Sequence, residues 1–209
     1  MLFTDIQVPK PELSPADRET LLNIAQASIW YGLQEGQPLA VDAARMSAAL
    51  REPGASFVTL RIEDELRGCI GSVETRRPLA TDVAENAFHA AFHDPRFPPL
   101  QPFEFSLLEI HISVLSPLTP ISFSSEADLI QQIQPGVDGL VLTYGSQRGL
   151  LLPAVWENVP DAGLFLQYLK KKAGLPARFW SHDLQVERFT AQEFARPVRR
   201  AAKSHPDRP

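Results

Sequence analysis

The chain has 209 residues, 44% hydrophobic and 22% charged, a globular composition that excludes disorder, collagen and coiled coil. Twenty Lys and Arg against 25 Asp and Glu leave a formal net charge of −5, which opposes nucleic-acid binding, since that needs a basic surface to displace counterions. A single cysteine excludes an internal disulfide, no apolar run approaches the length of a membrane span, and the first residues carry no secretory pattern, so a cytoplasmic protein in a reducing compartment is expected.

The 19 prolines, about 9% of the chain against about 5% on average, imply short elements and stiff connections. After a Pro-containing lead-in, Ser14-Pro15-Ala16-Asp17 reads as a helix start, with Ser as N-cap and Pro in the first position. Leu21, Leu22, Ala25, Ser28, Ile29 and Gly32 then recur on one helical face. Residues 40–51 are expected to form a second, short helix stopped by Pro53-Gly54. Residues 56–62 and 66–73 read as the strands of a hairpin turned at Glu63-Asp64-Glu65. Residues 78–92 form the clearest amphipathic helix, with Leu79, Val83, Ala84, Ala87, Phe88 and Ala91 on one stripe, ended by Asp94-Pro95. A strand is expected over 107–116, a second hairpin over 136–143 and 149–152, and a helix over 161–173 with Gly174 following it. Strands arriving as hairpins favour an α+β fold with mainly antiparallel sheets over a doubly wound parallel sheet.

Chemistry concentrates at two places. In Leu66-Arg67-Gly68-Cys69-Ile70-Gly71, strand alternation directs Arg67, Cys69 and Gly71 to one face and Leu66, Gly68 and Ile70 to the other. A guanidinium beside a thiol stabilises thiolate, so Cys69 and Arg67 are candidate catalytic residues; a buried, inert Cys69 is the competing reading. Two glycines inside a strand call for close backbone approach, which makes Gly68 and Gly71 candidate binding residues. The second place is Asp94-Pro95-Arg96, where extended backbone after a helix aims both side chains. Asp94 and Arg96 are either a clamp on the loop or a substrate contact. His89 and His93 stand four residues apart with Glu85 one turn before, yet no further ligand supports them, and no metal or other cofactor is expected. Glu109, His111 and Ser113 share a strand face but lie too far apart along it for a hydrogen-bonded relay. Lys170, Lys171 and Lys172 read as a helix end complementing its dipole.

The hexapeptide Leu66–Gly71 resembles the signature of the AMMECR domain family, whose prokaryotic members are called AmmeMemoRadiSam system protein A. Phe57-Val58-Thr59-Leu60 before it is similar to the family's preceding strand. Asp94-Pro95-Arg96-Phe97-Pro98-Pro99-Leu100, Ile112-Ser113-Val114-Leu115-Ser116-Pro117, Gly136-Val137-Asp138-Gly139, Leu151-Leu152-Pro153 and Lys172-Ala173-Gly174-Leu175-Pro176 continue the resemblance in order. It implies two unequal lobes within a single domain over 14–196. The larger lobe holds both chain ends, the smaller is an insertion, and residues 1–13 and 197–209 are flexible ends. It establishes no reaction. It implies association with a Memo-like protein and a radical S-adenosylmethionine protein, and it joins the Arg67/Cys69 strand and the Asp94/Arg96 loop into one site. Ala154 departs from the family, whose members commonly carry Gln or Glu there.

Three functions compete on this reading. One is an enzyme component with Cys69 as nucleophile, though no histidine is tied to it as base. The alternative is a non-catalytic ligand-binding, adaptor or regulatory protein using the same groove for a small-molecule or peptide ligand. A nucleic-acid role is the least favoured, given the acidic total.

Overall fold

A computed structural model describes residues 12–199, and the chain divides into two compact units. Residues 1–11 and 200–209, which fall in the expected flexible ends, lie outside the described residues. The larger unit spans 12–114 and 192–199, the smaller 115–191.

The larger unit begins with α1 (Pro15–Glu35). Ser14 caps it by accepting from the Asp17 amide at 3.1 Å, Pro15 occupies the first turn, and Gly36 ends it at φ +69°. Every residue of the expected apolar face is buried, and the Ser28 hydroxyl donates to the Ala84 carbonyl. The expected helix over 40–51 is instead a 3-10 turn (Ala43–Arg45) and a single turn, α2 (Ala48–Arg51), because Met46 is extended between them. Strand β1 (Pro53–Ile62) then turns through Glu63 and Asp64, both at positive φ, into β2 (Glu65–Gly71). β3 (Arg77–Pro78) leads into α3 (Leu79–Phe92), which lies on β1 and β2 and against α1. With β4 (Glu109–Leu115) and the late strand β9 (Ala191–Pro197), the sheet order is β2-β1-β4-β9, with β3 also pairing β1. β2 therefore stands at an edge. Leu13 and Val198 are buried in this core, so the packed chain runs beyond both 14 and 196.

The smaller unit holds β5 (Thr119–Pro120), α4 (Glu126–Gln132), β6 (Gly139–Tyr144), β7 (Gln147–Leu151), α5 (Ala162–Lys172) and β8 (Gln185–Phe189). Its sheet order is β5-β8-β6-β7, antiparallel throughout. Trp156 and Phe165 stack at 3.8 Å within its core. Lys170 is not an exposed helix end. It is 0% exposed, its Nζ donating to Glu126 at 2.7 Å, because α5 turns this face inward while Lys171 and Lys172 stay outside. Ala154 is exposed in a 3-10 turn, Pro153–Glu157. The architecture is α+β, with antiparallel sheets flanked by helices in two unequal units.

Candidate functional site

The hairpin register decides what faces Cys69. Counting from the turn, Ile62 pairs with Glu65 and Arg61 with Leu66, but Leu60 pairs with Gly68, so Arg67 is an extra residue in β2. This bulge interrupts the expected alternation. Gly68 is buried against α3 and Ile70 packs on the core, but Leu66 is exposed rather than sharing that inner face. The bulge also brings Thr59 opposite Cys69, and the Thr59 hydroxyl donates to the sulfur at 3.2 Å. The thiol is half-buried.

Both glycines mark close approaches. A Cβ on Gly68 would overlap the carbonyl oxygen of Ala90 on α3, and one on Gly71 would overlap the Phe57 ring and the Ser56 carbonyl. They set backbone distances within the fold.

As an edge residue, Cys69 directs its amide and carbonyl away from β1, where no strand among the described residues receives them. The Asp94 carboxylate accepts from the Cys69 amide at 2.9 Å, and Arg96 Nη2 donates to the Cys69 carbonyl at 3.3 Å. Arg96 also holds Asp94 through Nε at 2.9 Å and Nη2 at 2.6 Å, while its own amide closes a local turn onto Asp94. The two side chains thus pair with each other and stand in for a neighbouring strand. The Arg96 hydrogen bonds hold the buried Asp94 carboxyl far below the ordinary carboxylate range; the Cys69 amide assists and burial opposes. Arg96 is raised, chiefly by Asp94, with a smaller contribution from the Cys69 side chain.

Arg67 does not stand as a lone cation beside the thiol. It forms a bidentate pair with Glu104, Nε to Oε1 at 2.7 Å and Nη2 to Oε2 at 3.0 Å, and donates to the Pro98 carbonyl at 3.0 Å. Glu104 is held below its ordinary value mainly by Arg67, with the Gln101 amide adding to the effect against burial. The Phe97 ring lies within 5.9 Å of the Arg67 guanidinium and 5.5 Å of that of Arg96. Cys69, Arg67, Gly68, Asp94 and Arg96 therefore gather around one strand edge, with Thr59, Phe97 and Glu104 added. Glu104 lies 37 residues from Arg67, and nothing in the sequence distinguishes it from other acids. Thr59 would have been found by a register that allowed for the bulge.

The remaining candidates have local partners. His89 and His93 bring their Nδ1 atoms to 3.2 Å, and burial, His93 and Arg77 hold His89 below its ordinary value. Glu85 pairs with Arg77. No cluster of three or more His, Cys, Asp or Glu suited to a metal occurs among the described residues. Glu109 lies 3.3 Å from His111, whereas Ser113 donates to Glu193. A buried network that the sequence did not reveal joins Ser56, Asp82 and Asn86 beneath β1, with Arg77 donating to Asp82 at 3.0 Å. Among the described residues, no helix is long and apolar enough to cross a membrane.

Comparison with known proteins places these residues in a family. The family model for AMMECR1 matches residues 22–194, which include the whole strand-edge constellation. The chain belongs to the AMMECR1 family. A protein of Methanothermobacter thermautotrophicus is 40% identical over 184 residues, covering 87% of this chain and 95% of that one. A protein of Methanopyrus kandleri is 34% identical over 88% of this chain and 90% of its own. The crystal structure of an uncharacterised protein from Pyrococcus horikoshii superposes with a TM-score of 0.79 at 34% identity, over 85% of this chain and 90% of that chain. The AMMECR1 match runs through both units, and Ala154 lies within it.

Proposed function

We propose that this AMMECR1-family protein acts as a non-catalytic binding component, working with a Memo-like protein and a radical S-adenosylmethionine protein as its family resemblance implies. The strand edge at Cys69, with the exposed guanidinium face of Arg96 beside it, is the binding surface. One observation carries the reading: the charged side chains around Cys69 are hydrogen-bonded to one another and to its backbone. Among the described residues, the thiol meets the Thr59 hydroxyl and Arg96, and neither is a base that would draw its proton. Such paired charges hold a shape, as recognition requires, although Arg67 Nη1 is buried without a hydrogen-bond partner among the described residues.

The second reading, a Cys69 nucleophile, is favoured by the half-buried sulfur and by the interaction of Arg96 with it. Copurification with the Memo-like and radical proteins of the same source, using Cys69→Ser and Arg96→Ala, separates the two. The binding reading expects association within about twofold of wild type for Cys69→Ser and weakened at least tenfold for Arg96→Ala. If folded Cys69→Ser keeps its partners but abolishes the pathway's product, the nucleophile reading replaces it.

A further inference from the structure

Away from the Cys69 edge, the larger unit has a cleft of about 350 Å³, within the range that ordinary small-molecule sites occupy. Its floor is the outer face of α1, where Asn23, Gln26, Ala27 and Trp30 recur at helical spacing. Trp30 is 47% exposed although its ring meets Phe105 at 5.1 Å and 49°, so one indole surface remains uncovered. Val198 completes the apolar wall.

The polar groups are biased toward donors. Arg196 donates to the Asn23 Oδ1 at 2.9 Å, which fixes the amide orientation and leaves its NH₂ without a protein partner among the described residues. Gln26 is engaged on both sides, accepting from the Arg199 amide and donating to the Arg199 carbonyl. Glu19 accepts from Arg196 at 2.5 Å and forms an ion pair with Arg199 at 2.9 Å, so two guanidinium groups beside the lining residues share one carboxylate. Arg199 itself lines the cleft.

We propose that this cleft binds a small planar aromatic carboxylate, its ring lying on Trp30 and its carboxylate meeting Arg199 and the Asn23 amide. A flat ring uses the open indole face as an offset partner. An acceptor-only anionic group matches a rim that offers donors and surplus positive charge. The chain's own residues 200–209, Arg-Ala-Ala-Lys-Ser-His-Pro-Asp-Arg-Pro, contain no aromatic or large aliphatic side chain to fill such a space.

The chain has three tryptophans, so protein labelled with 5-fluorotryptophan gives three fluorine signals, with Trp30→Phe assigning the one from Trp30. Titration with indole-3-acetate is expected to move the Trp30 signal alone. Its neutral isostere indole-3-acetamide should bind at least fivefold more weakly, and Arg199→Met should abolish that difference. A stationary Trp30 signal at millimolar indole-3-acetate overturns the proposal, and equal affinity for the two probes overturns its choice of an anion. A Trp30 signal that moves on deletion of residues 200–209, while neither probe moves it, assigns the cleft to the chain's own tail and overturns it as well.

Discussion

The two units each bury an ionisable side chain, and they support it differently. Asp82 in the larger unit accepts from the Ser56 amide and hydroxyl, the Asn86 amide and Arg77, four donors from three residues. Lys170 in the smaller unit has the Glu126 carboxylate and, at 5.8 Å, the face of Trp180. A network with several partners degrades in steps when one is removed. A buried cation with one carboxylate partner does not, because losing Glu126 leaves Lys170 buried without compensation, whereas Glu126 itself is 35% exposed.

The largest expected effect lies in the larger unit's backbone and marks where its tolerance stops. Gly68→Val drives a side chain into the Ala90 carbonyl, and the urea midpoint should fall by the equivalent of at least about 3 kcal/mol, since neither α3 nor β2 can give way alone. Glu126→Ala should cost about 3 kcal/mol, whereas Lys170→Met combined with Glu126→Leu should cost clearly less than Glu126→Ala. Equal losses in the single and double variants would erase the contrast between the units. Asn86→Ala, which removes one of four donors to Asp82, should cost about 1–2 kcal/mol by the same measurement.

The strand-edge clasp sharpens the comparison through pH. The Asp94 carboxyl is depressed in the folded protein, so its stabilisation is fully present above the unfolded value near 3.8 and declines as pH falls below it. Acid titration of stability should therefore be shallower below about pH 4 in Asp94→Asn than in the parent. The smallest effect should be that of Arg67→Met on Cys69 alkylation at neutral pH, within about twofold of wild type, because Glu104 already neutralises this cation. Arg96→Met should change the rate several-fold. An opposite ranking would return Arg67 to the role its sequence position suggested.

Much of this architecture was legible from periodicity and turn chemistry. Ser14 and the apolar face of α1, the stripe of α3, and both hairpins follow from local rules, since caps, turn residues and alternation act within a few residues. Helix α4 escaped because its seven residues bury only Leu129, too short a stripe to register as a period. At the site, Asp94 and Arg96 are two apart, and their mutual pairing was readable from spacing. The Arg67–Glu104 pair and the burial of Lys170 against Glu126 were not, because long-range partners are chosen by tertiary packing. The bulge at Arg67 left no sequence mark, although it alone determines that Thr59 faces Cys69.

The discontinuity of the larger unit has a consequence for how the protein is made. Its sheet ends in β9, whose residues leave the ribosome only after the whole smaller unit has been synthesised. The smaller unit waits equally long, because its central strand β8 ends at Phe189, with a single residue between it and β9. Until β9 arrives, β4 presents an unpaired edge on the nascent chain. Emerging polypeptide therefore carries two unfinished sheets at once, with β4 in one and β6 in the other each awaiting a strand from the last quarter of the chain.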